Sequence, residues 1–219
     1  LTADNLEKHS SDHLAVLNPS YFSPAAYRIF ARVDGTHGWN GLIGSSYTIL
    51  HEAGTAPLGS SHSAGVPPDW VALNTQTGVL TAAAGHDTDF GYDAFRAVWR
   101  TALNYRWSGD SRSRKAMDDW KLLEQQWGQH GRLAARYHHD GSAAVSYESN
   151  ALYGGVLPYF QTVSSGDAAS IINDKLAPLF ADHGRALRQP LNYYDNNWVW
   201  FGLALYAGQS PDLAQGVSS

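Results

Sequence analysis

The stretch DTDFGYDAFRAVWRTALNYRWSG, residues 87–109, carries two kinds of information in one run. From Asp93 onward Phe95, Val98, Trp99, Ala102 and Leu103 recur at three- and four-residue spacing, the stripe of an amphipathic helix, and Gly109 supplies a stop. Ahead of the stripe, Asp87, Asp89, Tyr92, Asp93 and Arg96 collect where a loop enters that helix. Residues three apart share a helix face, so Arg96 can reach Asp93. A neighbouring cation favours the charged form of a carboxylate, and an ionised carboxylate can act as general base toward water. Asp is also a common helix N-cap. Local sequence therefore leaves two readings of Asp93 open, a cap and a base.

The same helical period recurs on both sides of this stretch. Ser23-Pro24 opens a helix with Ala26, Ile29, Phe30 and Val33 on one stripe, closed by Gly35. Trp39, Leu42, Ile43, Tyr47 and Leu50 form the next, with Trp39 assigned to the core, and the Gly/Ser/Pro-rich run from Thr55 to Pro68 is a loop. Downstream, Asp110 caps a helix with Ala116, Trp120, Leu123 and Trp127 in one stripe before Gly131. Ser149 to Phe160 reads as helical despite Gly154-Gly155, and Ala168, Ile171, Ile172, Leu176 and Leu179 form an amphipathic helix that Pro178 ends or kinks. From Asn197 to Ala207 the chain is apolar nearly all round, which predicts an inner helix buried on most sides.

Two β-hairpins interrupt the helices. One pairs Trp70–Leu73 with Val79–Thr81 between Asp69 and Ala83; the other spans Leu133 to Tyr147 around Asp140-Gly141. The sum is an all-α fold with minor β. Amphipathic helices alternating with an all-apolar one suit a layered helical toroid, inner helices covered by outer ones. Periodicity alone leaves an irregular bundle equally open.

Bulk properties narrow the function. A length of 219 residues, 43% of them hydrophobic, predicts one domain over residues 1–219. A formal charge of −5 with no basic run gives no footprint for nucleic acid or an anionic membrane, and no apolar run reaches the ~18 residues of a membrane span. With no cysteine, disulfides, thiolate zinc sites and cysteine nucleophiles are excluded. The ten histidines include no His-Glu-x-x-His, and the adjacent His138 and His139 would diverge on a strand, so no metal is expected. Gly59 to Gly65 lacks the register of a serine-nucleophile loop, and no Gly-x-Gly-x-x-Gly or Walker sequence points to a nucleotide cofactor. No cofactor of any kind is expected. Most of the eight Trp and twelve Tyr read as core, and those flanked by polar residues could line a cleft, where their faces suit sugar rings. In Pro68-Asp69-Trp70 the last two residues could form such a platform, or be a turn Asp followed by a packed Trp.

Four segments in order, Asn18-Pro19-Ser20-Tyr21-Phe22-Ser23-Pro24-Ala25-Ala26-Tyr27, Pro68-Asp69-Trp70, Tyr92-Asp93-Ala94-Phe95-Arg96-Ala97-Val98-Trp99-Arg100 and Tyr193-Tyr194-Asp195-Asn196-Asn197-Trp198, resemble the motif series of the family 8 glycoside hydrolases. That resemblance implies an (α/α)6 toroid of six inner and six outer helices and an inverting mechanism on β-glycans. It implies that Asp93 is the general base, Arg96 its ion partner, and that Tyr21, Tyr92 and Trp70 line the substrate cleft, with Tyr193 and Tyr194 near the base. Members acting on chitosan typically carry asparagine where this chain has Asp93, so the resemblance favours a β-1,4-glucan or xylan as the polysaccharide substrate, glucan first.

In one respect the chain departs from the family. Its members place the general acid, a Glu in a Ser-Glu-Gly stretch, and a further Asp well ahead of the Asn-Pro-Ser-Tyr motif, and neither stretch is present. Only 17 residues precede Asn18, and Glu7 is not a credible substitute. The chain is therefore expected to hold roughly the second half of the toroid, its carboxy-terminal part, with a second polypeptide or segment supplying the amino-terminal half and the acid. A noncatalytic glycan-binding fragment, and a xylanase or chitosanase of the same family, are the alternatives. Polymeric glucan implies a secreted protein, extracellular or periplasmic.

Overall fold

The structure, a computed structural model, describes residues 13–215. Glu7 lies outside the described residues. Four helices form an inner row: α1 (Pro24–Val33), α3 (Ala94–Ser108), α6 (Asn150–Val163) and α8 (Tyr193–Tyr206). Each packs against the next in that order. Outside them lie α2 (Trp39–Thr55) against α1, α4 (Ser111–Asp119) against α2 and α3, and α7 (Ser165–Ile171) against α6, with α5 (Lys121–His130) following α4. This is the two-layer arc of an all-α toroid.

The centre of the arc is α6, in which Ala151 through Phe160 are all buried. Its Gly154-Gly155 pair is explained by close packing. A Cβ on Gly154 would lie 2.2 Å from the Trp198 carbonyl oxygen of α8, and one on Gly155 would lie 2.2 Å from the Phe95 ring of α3. Two flanking helices approach α6 only because both positions lack side chains. Phe95 packs edge-on against Trp198 of α8, and Tyr153 and Phe160 against Trp127 of α5; Phe95, Tyr153 and Phe160 are buried, and each contributes about 1.5–3 kcal/mol of apolar burial.

The structure departs from the sequence expectations in several places. A strand not anticipated, β1 (Leu14–Leu17), pairs antiparallel with β2 (Val71–Asn74), which pairs in turn with β3 (Leu80–Thr81), so the first hairpin becomes a three-stranded sheet. The second hairpin is reduced to single bridges, Tyr137 with Phe90 and with Ala143, around a turn at Asp140-Gly141. The helix expected through Ala116 and Trp127 breaks at Trp120, whose indole is buried and whose carbonyl accepts from the Tyr159 hydroxyl of α6 at 2.9 Å. After Ile171 the chain passes into a π turn (Ile172–Leu176) and a 3₁₀ turn holding Pro178 (Ala177–Leu179), ahead of a small hairpin, β4 (Phe180–Ala181) with β5 (Ala186–Leu187).

Helix α8 begins four residues earlier than its apolar run, because the Asn192 side chain accepts from the Asp195 N–H at 2.8 Å and caps it. It is not buried on most sides: Trp200 is 63% exposed. The stripe of α1 is likewise uncovered, with Phe30 41% and Val33 66% exposed. Trp39 is half-buried against Tyr27 and Phe30 rather than in the core.

Candidate active site

The amino-terminal ends of the inner helices gather at one end of the arc. The Tyr194 hydroxyl donates to the Tyr92 carbonyl at 2.6 Å, tying α8 to the entry of α3. The Asp195 carboxylate accepts from the Ala151 N–H at 3.1 Å, tying α8 to α6. The sheet supplies the rest. Leu17, the last residue of β1, is paired with Val71, the first of β2. Asn18 and Trp70 therefore leave the same sheet edge side by side.

Asn18 uses both ends of its amide. Its oxygen accepts from the Ser20 N–H at 2.9 Å and caps the 3₁₀ turn Pro19–Tyr21, while its nitrogen donates to Asp93 Oδ2 at 2.8 Å. The other oxygen of Asp93 takes an ion pair from Arg96. Both side chains of that pair are partly exposed, 23% for Arg96 and 29% for Asp93. The Arg96 guanidinium lies over the Tyr21 ring at 5.8 Å, Tyr21 meets Trp70 edge-on at 6.4 Å, and Trp70 stacks on His86 at 4.5 Å. Tyr92 and Tyr194 meet edge-on at 6.0 Å on the opposite side. Burial pushes the Tyr194 phenol up to about 12 and raises that of Tyr92, so both remain neutral hydrogen-bonding groups at neutral pH.

The two readings of Asp93 are separated by its neighbour Asp69. Asp93 is the N-cap residue of α3 by position, yet its side chain makes no capping bond. Asp69, nine-tenths buried, holds the entry turn of that helix from another segment: its Oδ1 accepts from the backbone N–H of Gly91 at 3.1 Å, Asp93 at 3.0 Å and Ala94 at 2.6 Å, and the Phe95 and Arg96 N–H groups donate to the carbonyls of Gly91 and Asp93. Burial pushes the Asp69 carboxyl up to about 6, with Asp93's charge adding to the push and the three backbone donors opposing it. Local sequence offered no signal for a cap reaching across more than twenty residues.

A groove of ≈ 530 Å³ opens on this group, lined by Asp69, Trp70, His86, Asp87, Tyr92, Asp93 and Arg136 among others. Of the residues singled out by sequence, the structure brings Asp93, Arg96, Tyr21, Trp70, Tyr92 and Tyr194 together. Tyr193 is 85% exposed and lies outside the groove lining. Asn18, His86 and Arg136 join the site without having been marked for it. A larger hollow of ≈ 770 Å³, walled by Ile172, Phe180, Asp182, Arg188 and Leu203 among others, shares no residue with the Asp93 groove. One turn beyond Arg96, Arg100 is mostly buried; its Nε has no partner among the described residues, and burial and the Arg96 charge lower its proton affinity.

Among the described residues no group of three or more His, Cys, Asp and Glu could hold a metal ion, and no helix is long and apolar enough to cross a membrane. The groove can bind a neutral, hydroxyl-rich ligand against aromatic faces and present the Asp93 carboxylate to it.

The family model described as glycosyl hydrolases family 8 matches residues 7–161. Endoglucanase 2 of Ruminiclostridium josui is 40% identical over 103 residues, 47% of this chain and 20% of that protein. Among solved structures, a β-1,3-1,4-glucanase from Paenibacillus sp. X4 superposes with a TM-score of 0.69 at 22% identity, covering 88% of this chain and 50% of that one. A family 8 xylanase from Teredinibacter turnerae, in complex with xylohexaose, gives 0.67 at 21% identity, covering 90% and 47%. The chain thus spans about half the length of these solved structures, and its matched segment a fifth of the endoglucanase.

Proposed function

The chain belongs to glycosyl hydrolase family 8, and on that premise we propose that it is the carboxy-terminal part of an inverting, endo-acting β-1,4-glucan hydrolase with Asp93 as general base. One observation carries the reading: a carboxylate at the mouth of an aromatic groove, relieved of capping its own helix and oriented by Arg96 and Asn18. An inverting enzyme needs a base behind the anomeric carbon and an acid on the leaving oxygen, roughly 6.5–9.5 Å apart so that a water fits between them. Asp93 takes the proton from that water as its oxygen attacks. Arg96 and Asn18 hold the carboxylate so that a lone pair faces the groove, and the Trp70, Tyr21 and Tyr92 rings bind pyranose faces. Glucan is preferred to xylan because the relative at 40% identity is named an endoglucanase.

The general acid, in this reading, comes from an amino-terminal segment or second polypeptide that closes the ring. The uncovered apolar side chains Phe30, Val33 and Trp200 support this, as does the buried Arg100 Nε, which has no hydrogen-bond partner among the described residues, since stripes and donors of this kind are normally covered and satisfied. A polymeric glucan is met outside the cytoplasm, so the enzyme acts there. The test is Asp93→Asn in the full-length enzyme carrying this segment. Turnover on carboxymethylcellulose and lichenan should drop by several orders of magnitude with oligosaccharide affinity nearly intact, and wild-type hydrolysis would give the α-anomer first by NMR. Wild-type turnover in the variant would end the proposal, and full-length protein that binds glucan without ever cleaving it would establish a binding module instead.

A further inference from the structure

We infer that Asp69 is the positioning residue of the catalytic base: it holds the amino-terminal end of α3 so that Asp93 faces the groove instead of folding back over its own helix. The inference rests on Asp93 being the base, but it concerns a different residue and a different task.

A helix leaves its first backbone N–H groups without partners inside the helix. At the start of α3 the ordinary solution would be for Asp93, standing at the N-cap, to turn its carboxylate onto the N–H of Phe95 or Arg96, the second and third residues of the helix. A carboxylate spent that way has fewer lone pairs for water and points along the helix axis. Here Asp69 Oδ1 gathers the N–H groups of Gly91, Asp93 and Ala94, and in the turn so held the Phe95 and Arg96 N–H groups donate to the carbonyls of Gly91 at 3.2 Å and Asp93 at 3.1 Å, which leaves the Asp93 side chain without a capping task. Among the described residues the side chains that bond Asp93 are those of Arg96 and Asn18, and neither belongs to the groove lining that Asp93 itself joins.

Three further features tie Asp69 to that task. Its own backbone is locked to the same loop, the Asp69 N–H donating to the Asp89 carbonyl at 2.7 Å and the Trp70 N–H to the Asp87 carbonyl at 3.1 Å. The carboxylate therefore moves with the segment it holds. A Cβ on Gly91 would lie 2.5 Å from Asp69 Oδ2 and 3.4 Å from Arg136 Cγ, so the approach of Asp69 to the helix end requires glycine at that position. Finally, the residue that follows Asp69 is Trp70, which faces the same groove. One dipeptide thus fixes the base through its first residue and offers an aromatic face through its second.

The experiment uses the full-length enzyme with four variants, Asp69→Ala, Asp69→Asn, Gly91→Ala and Asp93→Asn, each checked for native secondary structure by circular dichroism. Displacing a reacting group by about 1 Å costs on the order of a hundredfold in rate. Asp69→Ala should therefore lower kcat about a hundredfold with KM changed less than about threefold. Asn keeps the oxygen that accepts all three N–H groups, so Asp69→Asn should recover at least tenfold of that loss. Should Asp69→Ala fail to fold, Gly91→Ala, which pushes the two segments apart, takes its place and should show the same fall in kcat at constant KM. Wild-type kcat in Asp69→Ala or Gly91→Ala overturns the inference, as does a folded Asp69→Asn no better than Ala, which would mean that charge and not the acceptor matters. If instead Asp93→Asn keeps full activity, it is the assignment of the base that falls.

Discussion

The contact between α6 and α8 allows a substitution whose sign can be worked out from opposing magnitudes. A Cβ on Gly202 of α8 would lie 2.1 Å from the Gly154 carbonyl oxygen, 2.7 Å from its carbon and 2.8 Å from its Cα. Gly202→Ala should gain about 1 kcal/mol, because alanine is the better helix former. Against this, the clash is with backbone on a central, buried helix, so no rotamer change relieves it. The helices must part by about 1 Å. Overpacking of this kind costs about 1–3 kcal/mol. A gap of that size also forfeits a quarter to a half of the dispersion well for the buried neighbours Trp198, Val199 and Leu205. The clash wins, with a net loss of about 2 kcal/mol and a fall in Tm of about 4–8 °C for a chain of this size. Gly166 of α7 is the control: it is exposed, and a Cβ there meets nothing within 4 Å. Gly166→Ala should raise stability by up to about 1 kcal/mol. Thermal melts followed by circular dichroism decide it. If Gly202→Ala melts at or above the wild-type temperature, the two helices do not approach as described, and the placement of Tyr194 by α8 loses its basis.

Other outcomes are open to direct measurement. The Asp69 carboxyl, raised by burial from 3.8 to about 6, keeps its proton longer in the folded than in the unfolded chain. Its contribution to stability is full below pH 3.8 and is lost as pH rises through about 6, a change of about 3 kcal/mol. Urea unfolding at pH 3.5 and at pH 7 should therefore show Asp69→Asn gaining on wild type at the higher pH; an unchanged difference would mean that the three backbone donors cancel the effect of burial, and a shift in the opposite direction that they outweigh it. Arg100→Met should raise the stability of this chain alone, because it removes a mostly buried cation beside Arg96. If an amino-terminal part brings a carboxylate to Arg100, the same change in the full-length enzyme should instead lower stability, by stranding that carboxylate. Equal shifts in both contexts would argue against such a partner.

Much of the fold was legible because helical period and stop signals are local. The stripe from Phe95 to Leu103 with Gly109 behind it, Ser23-Pro24 at the head of α1, and the loop after α2 all appear where sequence puts them. The failures have a common physical origin in long-range contacts. Strand β1 exists because β2 offers it a partner more than fifty residues away. The break at Trp120 depends on a hydroxyl from Tyr159. Gly154-Gly155 looked like a weakness of α6 and is instead the condition for its packing against α3 and α8. The stripe of α1 shows the converse: period gives the helix but not the burial of its face, for Phe30 and Val33 are exposed.

The same distinction runs through the site. Arg96 beside Asp93 is a three-residue spacing on one helix and could be read directly. Whether Asp93 caps its helix or serves the groove could not, because both uses suit an aspartate at that position and the choice depends on what else can satisfy the helix end. Asp69 makes the choice, through the sheet register that sets Leu17 opposite Val71 and so brings Asn18 and the Asp69-Trp70 pair to one edge beside α3. A capping carboxylate borrowed from a distant segment leaves the local one free for chemistry. The general consequence is that an aspartate at a helix start is better judged by asking whether its N–H groups are already satisfied from elsewhere than by its own sequence context.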